Sequence, residues 1–148
     1  YVIDTIYTKD PMEITEPLLA EKLKENDVNL AHIESNNGGR GFARSVERIL
    51  QEELGTNLTV INWFHQSKNK EARILTSATW VMEHVYFPEG WENSWAELYL
   101  ALMSFQRQGK NLHDDAQDGI SGISEMITKP PGIELWSTSH SHLKRRRR

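Results

Sequence analysis

The chain has 148 residues and no cysteine, and it is 38% hydrophobic and 26% charged. That is about one domain's worth of sequence with an ordinary globular balance, which excludes a disordered chain, disulfides and thiolate metal sites. The formal charge of −4 hides an asymmetry: residues 144–148 (Lys144, Arg145, Arg146, Arg147 and Arg148) hold five of the 17 basic residues, and 17 less these five leaves 12 against 21 acidic, or −9.

An acidic body is unusual for a nonspecific nucleic-acid binder, whose affinity comes from cations on the folded face. Phosphate would have to be drawn in by metal ions, and with no thiolate those ions must sit on carboxylates or imidazoles. Carboxylates favour hard ions such as Mg²⁺ or Mn²⁺. No run of about 18 apolar residues exists to span a membrane. Tyr1–Thr8 carries Asp4 and lacks a basic flank or small-residue cleavage site, so it does not read as a signal peptide.

Tyr1–Tyr7 is rich in β-branched and aromatic residues and reads as a strand closed by Pro11. Thr15–Lys24 has helical spacing, with Leu18, Leu19 and Leu23 on one side. Asn29–Glu34 is a short apolar strand ending at a carboxylate, and Asn36, Asn37, Gly38 and Gly39 form a turn after it. Gly41–Leu54 is an amphipathic helix with Phe42, Val46, Ile49, Leu50 and Leu54 as its stripe and Gly55 as its C-cap. Leu58–Phe64 is a third strand. Lys70–Val85 reads as a helix carrying Ile74, Leu75, Ala78, Val81 and Met82. Tyr86 and Phe87 suggest a short edge strand, Trp91–Arg107 a further helix, and the last helix runs from about His113 to Ile127, before Pro130 and Pro131.

Strands alternating with helices imply an α/β fold with a largely parallel sheet. The chain divides into a domain over residues 1–128 and a basic C-terminal tail, 129–148, which reads as loosely held with Trp136 as its anchor. His140, His142 and the arginine run read either as a grip on DNA or as a floppy terminus.

Two features could carry chemistry. Glu34 follows an apolar strand and precedes a glycine-rich turn, at the carboxyl end of a strand where open α/β sheets form their sites; a surface glutamate is the plain alternative. His113-Asp114-Asp115-Ala116-Gln117-Asp118 is the densest acidic cluster. On a helix, Asp115 and Asp118 share a face and Asp114 nearly joins them, so like charges repel by a few tenths of a kcal/mol per pair unless a cation intervenes. The helix dipole favours acids in a first turn and Asp114 could be an N-cap, but neither accounts well for Asp118, one turn in. Carboxylates from separate elements are what a pair of divalent ions needs to activate water and stabilise a phosphodiester leaving group.

The segments Ile33-Glu34-Ser35-Asn36-Asn37-Gly38-Gly39, Lys70-Glu71-Ala72-Arg73-Ile74, Phe87-Pro88, Trp95-Ala96-Glu97-Leu98 and His113–Gly119, in this order, resemble the C-terminal nuclease domain of phage terminase large subunits. That family is a branch of the ribonuclease H-like superfamily, and the resemblance covers roughly residues 1–127. It implies a three-layer fold, a mixed sheet flanked by helices. It also implies a metal-dependent endonuclease that cleaves double-stranded DNA with two Mg²⁺ or Mn²⁺ ions during genome packaging. Glu34, Asp115 and Asp118 would be the catalytic, metal-binding acids, with Asp114 in reserve. Lys70 and Arg73 would contact DNA phosphates, unless they are ordinary solvated helix charges.

The implied partners are an ATPase domain N-terminal to the nuclease, the portal protein and the small terminase subunit, in the host cytoplasm. No G-x-x-x-x-G-K-[ST] loop is present to bind ATP. A resolvase or transposase-type nuclease of the same superfamily is an alternative, and a non-catalytic packaging scaffold is another.

The match departs from the family at one place. Its members carry a first catalytic aspartate on the first strand, whereas Tyr1–Tyr7 corresponds to the third, so Asp4 is a poor candidate for that acid. The expectation is a fragment missing the family's first strands, with a sheet lacking its centre and weak cleavage even with Mn²⁺.

Overall fold

The computed structural model describes residues 1–106, 111 and 114–128. Helices and a parallel strand pair alternate along the chain. In order they are α1 (Met12–Glu25), β1 (Leu30–Glu34), a 3₁₀ turn (Asn36–Gly38), α2 (Gly39–Arg48), β2 (Val60–Phe64), α3 (Lys70–His84), α4 (Trp91–Ser94), α5 (Ala96–Met103) and α6 (Asp115–Thr128). None of the described helices is long and apolar enough to cross a membrane. The expected start of the last helix at His113 and the tail over 129–148 lie outside the described residues.

The core forms where α1 and α2 cover one face of the strand pair. Ala20 and Leu23 of α1 meet Val46, Ile49 and Leu50, with Phe42, Leu54, Ala31 and Ile61 packed against them. The spacing of Val46, Ile49 and Leu50 makes one helical stripe. After Arg48 the helix widens into one π turn, Ile49–Glu53, where the Leu54 N–H reaches back to the Ile49 carbonyl. Gly55, at φ +65°, then stops it, as its C-cap position requires. α1 begins at Met12, a turn earlier than Thr15, so Pro17 lies inside the helix rather than in its first turn. The bond Pro17 cannot make would have gone to the Glu13 carbonyl, on an exposed residue that water can serve.

β1 and β2 pair in parallel with Leu30 opposite Val60 and Glu34 opposite Phe64. Alternation fixes the faces. Ala31 and Ile61 point to the α1–α2 core, so Ile33 and Trp63 share that side, where Arg40 of α2 lies 3.9 Å over the Trp63 ring. Leu30, His32 and Glu34 therefore point to the opposite side, with Asn62 and Phe64. There Phe64 lines a cavity of about 170 Å³ with Gly122, Glu125 and Met126 of α6.

Two expected strands do not form. The segment Tyr1–Tyr7 forms no regular element and makes one ladder-like bond, from the Val2 N–H to the Tyr86 carbonyl (2.8 Å), and Tyr86–Phe87 is not a strand. Asp4 turns the segment elsewhere: it accepts from the Thr5 N–H and from Asn26 Nδ2, and it pairs with Lys22 at 3.1 Å. Among the described residues the sheet has two strands.

The helix expected over Trp91–Arg107 breaks at Trp95 (φ −127°, ψ 51°), giving α4 and α5. The aromatic cluster accounts for the break, with Phe87 stacked on Trp91 at 4.0 Å and Trp91 edge-on to Tyr99 at 5.1 Å.

α3 departs most from expectation. Of its apolar stripe only Ile74 is buried, while Met82 is 82% exposed. α3 instead presents Arg73 and Ser77 to α6, whose buried residues are Ala116, Gln117, Ser121 and Ser124. Several of these polar groups are bonded where they lie, although Arg73 Nε and Gln117 Oε1 are not. Ser121 Oγ donates to the Gln117 carbonyl, and Gln117 Nε2 donates to the Ala101 and Leu102 carbonyls, closing the C-terminal end of α5.

Candidate active site

Glu34 is the last residue of β1, and the turn after it is fastened to β2. Ser35 donates both its N–H (2.7 Å) and its Oγ–H (2.9 Å) to the Phe64 carbonyl. Asn36 donates Nδ2 to the Gln66 carbonyl and accepts the Gln66 N–H. Asn37 (φ 49°) and Gly38 (φ 95°) are left-handed, which reverses the chain into α2. Gly39 serves a different purpose. Its own φ is helical, but a Cβ there would lie 1.8 Å from the Glu34 carbonyl oxygen. The glycine is needed so that α2 can begin against the backbone that carries Glu34.

Facing this strand end, α3 and α6 are joined by two rungs of charge. Lys70 Nζ lies 2.6 Å from both Asp114 Oδ1 and Asp115 Oδ1. One turn on, Arg73 Nη2 lies 2.6 Å from Asp118 Oδ1 and donates to Asp118 Oδ2 at 2.7 Å. Below it, Glu125 accepts from Lys68 Nζ (2.5 Å) and Gln66 Nε2 (2.9 Å), with Arg73 Nη1 at 4.0 Å. The Lys70-x-x-Arg73 and Asp115-x-x-Asp118 spacings match because both sit on helices lying side by side.

The rungs differ in burial. Asp115 is 78% exposed, whereas the Arg73 and Asp118 side chains are 7% and 16% exposed. Asp118 Oδ1 and Arg73 Nε are buried without a directed hydrogen bond, because Nη2 spends its aligned donor on Oδ2 alone.

Burial pushes the Asp118 carboxyl above the usual carboxylate range. The Arg73 and Lys70 charges pull it back, while Glu34 and Asp114 add to the upward push. The Glu34 contribution comes from another element of the fold, 84 positions away in the sequence (118 less 34). For Lys70, burial acts downward, but its bonds to Asp114 and Asp115 outweigh this and hold the ammonium above its ordinary value. At Glu125, burial acts upward, yet the hydrogen bonds from Lys68 and Gln66 prevail and hold the carboxyl below its ordinary range.

The structure therefore brings Glu34, Asp114 and Asp118 into one electrostatic neighbourhood and turns Asp115 outward onto Lys70. Lys70 and Arg73 are engaged by these carboxylates. Among the described residues no three His, Asp or Glu side chains gather closely enough to hold an ion by themselves. Sequence reasoning missed Gln66, Lys68 and Glu125. The signal for Glu125 was its position seven residues after Asp118, on the same face of one helix; Gln66 and Lys68 carried none.

Scanned against protein-family models, curated proteins and solved structures, the chain matches none of them.

Proposed function

We propose that this chain is a metal-dependent phosphodiesterase domain, with Glu34 and Asp118 as its central acids. The observation carrying the reading is that Asp118 Oδ1 is buried without a hydrogen bond on α6, the helix that meets Phe64 at the carboxyl end of the parallel strand pair where Glu34 also ends. Two carboxylates repelling one another gain most from a shared divalent cation.

The chemistry of the two donors, both hard carboxylates, suits one such ion. Mg²⁺ binds through one or two carboxylates and keeps waters or phosphate oxygens in its remaining positions, so a third protein ligand is not required. Glu34 Oε and Asp118 Oδ1 would hold it, and Asp114 would be the next nearest acid. Such an ion supplies charge stabilisation and an activated water at a phosphodiester. This chain's residues hold the acids in place: Gly39 and Ser35 fix the Glu34 backbone, and Lys70 tethers Asp114 at the start of α6.

More particularly, we read it as an endonuclease domain acting on double-stranded DNA, on the likeness of its Glu34, Lys70–Arg73 and Asp114–Asp118 segments to terminase nucleases. A ribonuclease H-like fold and a second metal ion belong to the same proposal. A non-catalytic docking domain is the second reading, favoured by the fact that Asp114, Asp115 and Asp118 all have basic partners.

Titration with Mn²⁺ separates the two. The nuclease reading expects binding that raises the melting temperature, with the rise abolished in Glu34→Ala and Asp118→Ala, and cleavage of supercoiled plasmid that requires both acids. If Mn²⁺ changes neither melting nor DNA, and both variants behave as wild type, the docking domain is the better description.

A further inference from the structure

Arg73 is placed unlike an arginine whose purpose is to staple two helices. A guanidinium in a structural pair lays its planar fork on a carboxylate so that two nitrogens each meet an oxygen. Here one nitrogen, Nη2, touches both oxygens of Asp118. Nε has no hydrogen-bond partner although the residue is only 8% exposed, and Nη1 is 4.0 Å from Glu125. A buried guanidinium that leaves its fork unsatisfied and meets the acid end-on is acting as a point charge.

The rest of the neighbourhood explains why a point charge is wanted there. The Glu34 and Asp114 charges act on Asp118 as well, and the other cation, Lys70, is spent on Asp114 and Asp115. Take Arg73 away and Asp118 is a half-buried carboxylate with no direct counter-ion among the described residues.

Resting on the nuclease reading above, we infer that Arg73 is the resident counter-ion of Asp118, standing where a divalent cation would bind, so that ion binding and the Arg73–Asp118 pair exclude one another. Asp118 has one set of oxygens, and Nη2 approaches both. A carboxylate can accept more than one partner, so it is the guanidinium charge, in contact with both oxygens, that an ion seated on Asp118 repels and displaces. Once Nη2 is released, the edge of Nε and Nη2, whose N–H groups lie parallel, is free to grip a phosphate. The site is thereby kept neutral without metal, and its apparent affinity for the ion is lowered by the strength of its own ion pair.

The test is Mn²⁺ binding by calorimetry on the full chain and on Arg73→Met, Lys70→Met and Asp118→Asn. Arg73→Met is expected to bind on the order of tenfold more tightly than wild type, the usual size of a coupling between competing sites. Lys70→Met, which removes the same charge without freeing Asp118, should gain clearly less, and Asp118→Asn should lose binding. Equal gains in the two methionine variants, or none in Arg73→Met, overturn the inference while leaving the nuclease reading intact. Absence of Mn²⁺ binding from every protein sinks both.

Because Arg73→Met could fail to fold, a second measurement uses the wild-type chain alone. The Arg73 Nε–H resonance is followed by ¹H–¹⁵N spectroscopy as Mg²⁺ is added. It should move, and exchange faster with water, along the same saturation curve as ion binding. A signal that stays put while the ion binds overturns the inference.

Discussion

Replacing Gly39 with alanine is the sharpest stability test of how Glu34 is held. The new Cβ would stand 1.8 Å from the Glu34 carbonyl oxygen and 2.9 Å from its carbon. Carbon and oxygen approach to about 3.3 Å at closest, so the strand end or the start of α2 must move by roughly 1.5 Å. Neither is free to do so. The strand end is tied to β2 through Ser35 and Asn36, and α2 carries Val46 into the core with none of its surface exposed.

Forcing atoms into a rigid site costs about 1–3 kcal/mol, and backbone against backbone belongs at the upper end. Alanine's better helix propensity offsets at most about 1 kcal/mol. The expected net loss is therefore about 2 kcal/mol, read as a lower urea midpoint at unchanged slope and a melting temperature down by roughly 6 °C. Gly41→Ala is the control, two residues on in the same helix with nothing within 4 Å of its Cβ. It should be neutral or stabilising by up to about 1 kcal/mol. If Gly39→Ala proves as stable as Gly41→Ala, the close approach is not what the glycine is for.

Asn69 caps α3 by accepting the Ala72 N–H at 3.0 Å, so Asn69→Ala should cost about 1 kcal/mol in urea unfolding, and Asn69→Asp should be nearly neutral. Val46 is fully buried among α1, α2 and the strands, and Val46→Ala should cost roughly 2 kcal/mol, seen as a shifted midpoint. At Asp4, burial acts upward, but the bonds from Lys22, Asn26 and the Thr5 N–H outweigh it and hold the carboxyl below its ordinary 3.8. A depressed folded value means the stabilisation is present above 3.8 and is lost as pH falls through the folded value. Asp4→Asn should therefore be less stable than wild type at neutral pH and converge with it in acid. A constant gap across the titration would show that the Lys22 contact carries no charge-dependent stability.

The elements legible in the sequence are those whose own periodicity closes a core. The Val46–Ile49–Leu50 stripe, the apolar run into Glu34 and the stop at Gly55 all appear in the structure at the expected positions. Tyr1–Tyr7 shows where local pattern stops being enough. Its β-branched residues favour extension, but a strand exists only beside a partner, and Asp4 commits this stretch to Lys22 and Asn26. The stripe of α3 misled for a related reason: periodicity marks an apolar face but not what covers it, and Arg73 and Ser77 turned out to face α6.

At the site, the acids of Asp114–Asp118 and the bases of Lys70 and Arg73 were each visible as clusters. That they pair rung to rung was a matter of helix placement, 45 positions apart in sequence, which no local pattern encodes. The π turn at Ile49–Glu53 had no sequence signal.

The register of β1 makes the position of Glu34 depend on counting rather than on chemistry. Ala31 and Glu34 lie three residues apart, an odd number, so one faces the α1–α2 core and the other the charged side. Substitutions within this strand can be absorbed one at a time. The loss or gain of a single residue between them cannot, because it would turn the carboxylate into the hydrophobic layer or drag alanine out of it. Over evolutionary time the strand should therefore drift in composition while keeping its length, and a reader tracing distant relatives would do better to measure the interval before the Asn-Asn-Gly-Gly turn than to compare the letters in it.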